Sequence, residues 1–247
     1  MLCPICNKKA RHLWFIAIKG SRTKKYCPLF FCNRCNFFFQ RPEYRENDQQ
    51  LKKDLEWHLS SSEHHKDHVR KLLDQVMQIL PNAKTLLDIG CGTGVSILLS
   101  RELGLSAEGV EPNPYAVSWA KNNYSLSLKQ AYFEAKLFNN KYDIIIADSV
   151  LEHVSTPQSF MHDVFSVLNP GGVLLLAVPG RRRGILRDIL RFFFSVIFTK
   201  DERSLFIDND VHINHFSYTS VVNLIEPFGA TLHTEIQPGT FIIKARA

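Results

Sequence analysis

Three glycines at alternate positions are the clearest sign of a ligand site in this chain. Gly90, Gly92 and Gly94 stand between an apolar run that predicts a strand and a segment that predicts a helix. A glycine turn in that place lets a ligand approach the backbone at the carboxyl end of a strand, where open α/β sheets bind ligands. Val95 stands where the dinucleotide fingerprint requires a glycine, and the loop lacks the Gly-Lys-Ser/Thr ending of a P-loop. The spacing therefore indicates a ligand that is not held by its phosphates.

An acidic residue follows the loop at a distance that suits a nucleoside. Glu111 ends the second predicted strand, about 20 residues past the first glycine, which is the usual offset of an acid that binds ribose hydroxyls. Two adjacent hydroxyls can donate to one carboxylate, so an acid is the appropriate side chain there.

Two Cys-x-x-Cys pairs near the amino terminus have the spacing of metal ligands. They are separated by residues 7–31, and such knuckles suit a tetrahedral zinc site. We expect the ligands to be Cys3, Cys6, Cys32 and Cys35. Because four thiolates leave no open coordination position, the predicted zinc is structural. Redox-active or simply buried thiols are the alternative.

The glycine loop resembles a known cofactor motif. Residues 88–94, Asp-Ile-Gly-Cys-Gly-Thr-Gly, resemble the first motif of the class I S-adenosylmethionine-dependent methyltransferases. The resemblance implies a methyltransferase with S-adenosylmethionine as its cofactor. It implies that the cofactor contacts a set of residues in and after the loop: Asp88, Gly90, Cys91, Gly92, Gly94, Glu111 and Pro112. Within that set Asp88 orients the loop and Glu111 holds the ribose.

A second segment carries the same resemblance. Leu151-Glu152-His153-Val154 is similar to the segment that follows the fourth strand in many small-molecule methyltransferases. The resemblance places Asp148 and Ser149 beside the methionine part of the cofactor. It also makes His153 a candidate general base, since a histidine titrates near neutrality. The alternative is that Glu152 and His153 only order the loop.

The chain departs from the family pattern at two places. Quinone O-methyltransferases of similar sequence bind a metal with a further Glu three residues before the Glu-His pair, and Ser149 stands there, so no catalytic metal is expected. The family often has an acid after the third strand that binds the adenine amino group. No clean match is present here, so Tyr132 or Phe133 is expected to stack on the adenine ring instead.

The segment His212-Ile213-Asn214-His215-Phe216-Ser217 resembles a recurrent His-x-x-x-Phe-Ser segment of this group. The resemblance places it near the substrate opening, where His212 or His215 is a further candidate base. A histidine that fixes the loop by hydrogen bonds is the alternative. Ser217 is a plausible N-cap of the helix that follows.

Alternating strands and helices are needed to position these residues. Apolar runs predict strands at 85–90, 107–111, 126–130, 142–148, 172–178, 230–236 and 240–246. Helical patterns lie between them at 95–103, 114–123, 157–168 and 218–228. The alternation predicts an α/β fold with a parallel sheet covered on both faces. The turn at 237–239 makes the last strand antiparallel, which is the seven-stranded, Rossmann-like layout of class I methyltransferases.

Three regions follow from these patterns. Residues 1–45 form a small zinc-ribbon module, 46–82 a linker and an entry helix, and 83–247 the methyltransferase domain with an insertion at 180–211. Within the insertion, residues 184–200 predict a very apolar helix behind a basic head. It could be a lid over the substrate, an oligomer contact or a peripheral membrane contact.

Charge and composition limit the kinds of location, acceptor and binding partner that we expect for this chain. The net charge is +6, yet residues 1–45 hold ten Lys/Arg and one acidic residue, so the basic character belongs to the ribbon. With no signal peptide and no apolar run long enough to span a bilayer, a cytoplasmic protein is expected. The expected acceptor is a hydroxyl of a small molecule, a sugar or a lipid-linked compound. Two alternatives remain: an RNA or protein methyltransferase that docks through the basic ribbon, and a cofactor-binding protein without catalysis.

Overall fold

Two β-sheets organise the residues that the computed structural model describes, which are 1–19, 26–41, 47–60, 62–179 and 212–246. In chain order the strands are β1 (Arg11–Lys19), β2 (Tyr26–Cys32), β3 (Phe37–Phe39), β4 (Thr85–Ile89), β5 (Ser106–Val110), β6 (Tyr142–Asp148), β7 (Leu168–Ala177), β8 (Asn214–His215), β9 (Thr231–Gln237) and β10 (Thr240–Lys244). The helices are α1 (Asp48–Ser60), α2 (Ser62–Ile79), α3 (Val95–Glu102), α4 (Pro114–Tyr124), α5 (Pro157–Val167) and α6 (Tyr218–Ile225). The predicted insertion at 180–211 lies outside the described residues. None of the helices in the described ranges combines the length and the apolar character that a membrane span requires.

The central sheet has six strands in the order β5-β4-β6-β7-β10-β9. Strands β5, β4, β6 and β7 are parallel, and β10 runs antiparallel between β7 and β9. Alternate side chains of the middle strands enter two apolar cores, so that Leu87 and Ile145 lie in one core while Leu86 and Ile144 lie in the other. All four are 0 % exposed, which is why these strands are apolar along their whole length. The predicted α/β class and the antiparallel last strand are confirmed.

The predicted strand at 126–130 is wrong, and the described sheet therefore has six strands instead of seven. These residues form a single bridge, in which Glu111 N donates to Lys129 O and Lys129 N donates to Gly109 O, both at 2.9 Å. Leu126 is only 2 % exposed because it packs against the glycine loop. Leu126, at one end of the segment, therefore lies in the core, and only Lys129 pairs with the edge strand β5.

The part of 46–82 that was predicted to be a linker is also helical. α1 has no buried residue, but Leu51, Leu55 and Leu59 follow a helical spacing and are half-buried. Two hydrogen bonds from another element stabilise the position of α1. Asn113 Nδ2 donates to Leu51 O at 2.9 Å, and Tyr115 OH donates to the Asp48 carboxylate. Both contacts come from the start of α4, which brings α1 to the edge of the sheet that carries the glycine loop.

The amino-terminal sheet has the order β1-β2-β3-β8 and is completed from the other end of the chain. Phe38 and Phe39 of β3 pair with His215 and Asn214 of β8. Phe37 lies 4.9 Å from Phe216 between ring centroids, and both belong to the core that contains the central strands. The ribbon is therefore fused to the larger sheet by backbone pairing and by a shared core.

Candidate active site

The glycine loop adopts a conformation that side chains would disturb. Gly90, Gly92 and Gly94 have φ values of 70°, 52° and 81°, in the left-handed region that glycine tolerates best. A Cβ at Gly90 would lie 2.6 Å from Val150 Cγ2, and one at Gly94 would lie 2.5 Å from Leu126 Cδ1. Both glycines are therefore required for the backbone conformation and for space.

Hydrogen bonds hold the loop at the ends of β4 and β5. Gly90 N and Cys91 N donate to Val110 O at 2.8 and 3.2 Å. Asp88 is 4 % exposed and accepts a hydrogen bond from Ser96 Oγ on α3, and burial raises the pKa of its carboxyl to about 8. Asp88 thus connects the strand to the helix that follows the loop.

Cys91 is 8 % exposed, and burial raises the pKa of its thiol. It packs on β5, where a Cβ at Gly109 would lie 2.7 Å from Cys91 Sγ and would also contact Ile97. Gly109 therefore lets the loop approach β5. The sequence analysis missed this residue because a single glycine inside a strand has no distinctive spacing.

Glu111 sits directly under the loop. Its Oε2 accepts from Gly92 N at 2.9 Å and its Oε1 accepts from Asn113 N at 2.8 Å, across the half-buried Pro112. Each carboxylate oxygen can accept a second hydrogen bond. The two hydrogen bonds from Gly92 and Asn113 fix the orientation of the carboxylate beneath the loop.

The end of β6 lies at the same sheet edge as the glycine loop, since β4 and β6 are parallel neighbours. Ser149 has a φ of 58°, its N donates to Ala177 O at 2.9 Å, and its Oγ donates to Asp148 Oδ1 at 3.0 Å. The sharp turn after Asp148 keeps both residues at this edge of the sheet.

The two rings predicted to face adenine differ in their surroundings. Phe133 packs against Phe138 and Phe160, with ring centroids 5.9 and 5.7 Å away, so it belongs to a core cluster. Tyr132 is 70 % exposed. Of the two, Tyr132 has the ring that a ligand can reach.

α1 contributes a residue that covers the loop. His58 Nδ1 and Cε1 lie 3.9 Å from the position of a Cβ at Gly92. His58 belongs to no recognisable motif of the sequence. The structure distinguishes His58, which forms part of the rim above the glycine loop.

A second cluster lies after β6, on the one-turn helix Leu151–His153. Glu152 is 0 % exposed, neither of its carboxylate oxygens has a hydrogen-bond partner among the described residues, and burial raises the pKa of its carboxyl to about 8. His212 Nε2 lies 4.0 Å from Glu152 Oε1, and the rings of His153 and His212 have centroids 5.0 Å apart. One ligand atom from each residue lies within 4.8 Å of the others.

Backbone contacts bring His212 to this cluster. Ile213 N donates to Glu152 O at 2.9 Å, and Asn214 Nδ2 donates to Leu151 O and Val154 O at 3.3 and 2.6 Å. On the other side Gln40 N donates to Ile213 O at 2.9 Å and Gln40 Nε2 donates to His212 O at 3.1 Å. The segment is thus held between the ribbon and the turn that carries Glu152.

The predicted base His215 has a different place. It is 9 % exposed and lies in β8 opposite Phe38, while His212 is the residue that joins Glu152 and His153. His153 is exposed. The geometry therefore favours His153 and His212 over His215 as groups that can reach a substrate.

The four predicted zinc ligands form one cluster. The Sγ atoms of Cys3, Cys6, Cys32 and Cys35 all lie within 4.8 Å of one another, and those of Cys6 and Cys32 are 3.6 Å apart. Sulfurs bound to one tetrahedral zinc at about 2.3 Å are about 3.8 Å apart, so the arrangement fits that ion. Burial raises the pKa of Cys3 to about 12, so a nearby cation is needed to keep this thiol ionised at neutral pH.

Comparisons with known proteins agree with this architecture. The methyltransferase domain family model matches residues 61–235. A mitochondrial ubiquinone biosynthesis O-methyltransferase from Schizosaccharomyces pombe is 31% identical over 108 residues, which are 40% of this chain and 39% of that protein. An enzyme of the same name from Rattus norvegicus is 23% identical over 161 residues, which are 60% of this chain and 45% of that protein. The chain thus spans less than half the length of these curated relatives.

Two solved structures share the fold. An O-methyltransferase family protein from Burkholderia thailandensis superposes with a TM-score of 0.59 at 14% identity, over 81% of this chain and 61% of that one. The plantazolicin methyltransferase BpumL, solved in complex with a pentazolic desmethylPZN analog and SAH, superposes with a TM-score of 0.56 at 12% identity, over 81% of this chain and 91% of that one.

Proposed function

We propose that this chain transfers the methyl group of S-adenosylmethionine to a hydroxyl of a small-molecule acceptor. The chain belongs to the methyltransferase domain family, and it has the Rossmann-like fold of the class I enzymes. The observation that carries the proposal is the contact between Glu111 Oε2 and Gly92 N at 2.9 Å. It joins the ribose acid to the cofactor loop at the carboxyl edge of the sheet, where open α/β folds bind nucleosides.

In this proposal the cofactor lies along that edge. Glu111 accepts from the ribose hydroxyls, Tyr132 covers the adenine ring, and Asp148 faces the methionine part. Asp88 acts indirectly, because its carboxyl is buried and bonded to Ser96. His58 closes the pocket from above the glycine loop.

The reaction is a direct displacement. The acceptor oxygen forms a bond to the methyl carbon while the carbon–sulfur bond breaks, and the electron pair leaves with sulfur as S-adenosylhomocysteine. Since the sulfonium is already a good leaving group, the protein mainly has to align the two atoms and remove the hydroxyl proton. We assign this step to His153, which follows β6, and His212, which precedes β8, since their ring centroids are 5.0 Å apart.

The amino-terminal module has a structural part in this proposal. A zinc ion held by Cys3, Cys6, Cys32 and Cys35 stabilises the ribbon, and through β3 and β8 the ribbon supports the segment that carries His212. The ion itself takes no part in the chemistry because four thiolates fill its coordination sphere.

Titration calorimetry with S-adenosylmethionine tests the cofactor site. Glu111→Ala is expected to lose most of the affinity, while Glu102→Ala, which removes an exposed carboxylate paired with Arg70, is the matched control. Equal affinity of the two variants would contradict the ribose assignment.

A screen of phenols, sugars and lipid-linked compounds with labelled methyl donor tests the acceptor class. Labelled product that elutes with the small molecule supports the proposal. Tight cofactor binding without turnover on any acceptor supports a non-catalytic protein instead. Labelled RNA, with binding that weakens steeply as salt increases, supports docking of nucleic acid on the basic ribbon.

A further inference from the structure

We propose that Glu152, His153 and His212 form a metal site on the acceptor side of the methyl-transfer centre, which takes a divalent transition metal of the zinc type. The role that this ion would have rests on the proposed function, whereas its binding does not. The site is separate from the four cysteines, since no residue belongs to both clusters.

The first argument is the buried carboxylate. Glu152 is 0 % exposed, and within the described ranges neither of its oxygens receives a hydrogen bond. A buried polar group without a partner is costly, and a carboxylate in such a place is normally paired with a cation or bound to a metal. His212 Nε2 lies 4.0 Å from Glu152 Oε1, which is too far away for a hydrogen bond. The missing partner therefore belongs between the two side chains.

The second argument is the donor geometry. The three ligand atoms lie within 4.8 Å of one another, whereas atoms bound to one tetrahedral ion at about 2.1 Å are about 3.4 Å apart. The difference is small enough for side-chain rotation to remove. His153 is exposed and the side chain of His212 is 22 % exposed, so both rings can turn toward the fixed carboxylate.

The third argument is the donor set. Two imidazoles and one carboxylate are typical of zinc and its transition-metal neighbours, whereas magnesium and calcium favour oxygen ligands. The quinone O-methyltransferase pattern needs a carboxylate at position 149, where this chain has Ser149. The ligand that replaces it, His212, comes from a segment held by Gln40 and Asn214. The resulting site has a different composition and a different preferred ion.

The chemistry follows from the open coordination position. Three protein ligands would leave one coordination position open for an acceptor hydroxyl, and a divalent ion there would lower the pKa of that hydroxyl. With the ion bound, His153 and His212 would act as ligands and not as bases, so the hydroxyl proton would pass to solvent. Ser149, which immediately precedes this turn, places the site beside the methionine end of the cofactor pocket.

Cobalt(II) titration of the protein loaded with one equivalent of zinc, which the four thiolates bind in preference, tests the site. A cobalt ion bound by nitrogen and oxygen shows d–d absorption without the sulfur charge-transfer bands of a thiolate site. The wild-type chain is expected to bind one such ion. His153→Gln and His212→Gln should each weaken its binding by more than about 100-fold, since even outer-shell changes cost about 10–100-fold. His162→Gln, which changes a histidine with a 75% exposed side chain on α5, is the control and should bind as the wild type does.

S-adenosylmethionine binding is measured on the same samples. Unchanged cofactor affinity in His153→Gln and His212→Gln shows that the fold is intact and separates this test from that of the proposed function. Because His153 is exposed, His153→Gln serves as the folded variant if His212→Gln is unstable. Either no sulfur-free cobalt signal in the wild type, or an equal signal in the wild type, His153→Gln and His212→Gln, would overturn the proposal.

Discussion

Gly94→Ala is the substitution whose cost the structure defines most sharply. The residue has a φ of 81°, and a Cβ there would lie 2.5 Å from Leu126 Cδ1. Leu126 is 2 % exposed, so its side chain has little room to move. The substitution therefore combines backbone strain with overpacking at the end of the cofactor loop, where α3 begins.

A matched glycine separates these two causes. Gly104 has almost the same φ, 82°, yet no atom lies within 4 Å of the place where a Cβ would stand. Gly104→Ala thus carries the backbone strain alone. The left-handed conformation costs alanine about 1–2 kcal/mol, and the stiffer unfolded chain returns about 0.4–1 kcal/mol. We expect Gly104→Ala to lower the free energy of unfolding by about 1 kcal/mol or less.

Gly94→Ala adds the contact with Leu126. Overpacking of a filled core costs about 1–3 kcal/mol. The expected total is about 2–4 kcal/mol, and the difference between the two variants measures the contact itself. Affinity for S-adenosylmethionine should fall in Gly94→Ala and stay unchanged in Gly104→Ala, which lies outside the loop.

Urea unfolding followed by circular dichroism, without cofactor and at one pH, gives the free energies. Calorimetry on the folded proteins gives the affinities. If the two variants differed by less than about 0.5 kcal/mol, which is the scatter of ordinary surface substitutions, the close approach of Leu126 to the loop would be refuted. Equal loss of cofactor affinity in both would refute the local origin of the effect.

Three further predictions concern the supports of the site. Asn214→Ala removes the donor to Leu151 O and Val154 O and should lower the free energy of unfolding by about 1–3 kcal/mol. The rate of methyl transfer should fall more than the affinity for the cofactor. A parallel fall in both would contradict the placement of Asn214 on the acceptor side. Burial raises the pKa of the Asp88 carboxyl to about 8, so the stabilising contribution of this group is complete below about pH 4 and is lost as the pH rises through about 8. Asp88→Asn should therefore flatten the decline in the free energy of unfolding across this pH range, as measured by urea titrations. An unchanged decline would oppose the assignment. Cys35→Ser should remove zinc as measured by elemental analysis and lower the thermal midpoint, whereas unaltered metal content would exclude the four-cysteine site.

Local patterns in the sequence were sufficient for much of the cofactor side. The glycine loop and Glu111 lie within one strand–turn–helix–strand unit, so their spacing alone places them at one sheet edge. Apolar runs and helical periods predicted the six central strands and the helices from α3 onward, because strands buried on both faces are continuous apolar runs. The spacing of the four cysteines likewise predicted that their sulfur atoms lie close together.

One predicted strand is wrong because local pattern and tertiary contact disagree. Residues 126–130 are apolar enough for a strand, yet Leu126 packs against the glycine loop and only Lys129 pairs with β5. The start of α1 was not predicted, because its leucines are only half-buried and its contacts with α4 come from another part of the chain. In both cases the neighbour that decides the structure lies in another part of the chain.

The sequence by itself determined the α/β fold, the cofactor loop and the candidate cysteine ligands, since each is encoded by residues close together along the chain. Only the tertiary structure decided which histidine reaches the acceptor side. A two-residue strand, β8, has no periodic signal of its own, and its pairing with β3 joins positions 38 and 215. That pairing places His212 next to the buried carboxylate of Glu152, and burial is a property that a carboxylate acquires only when the chain folds around it.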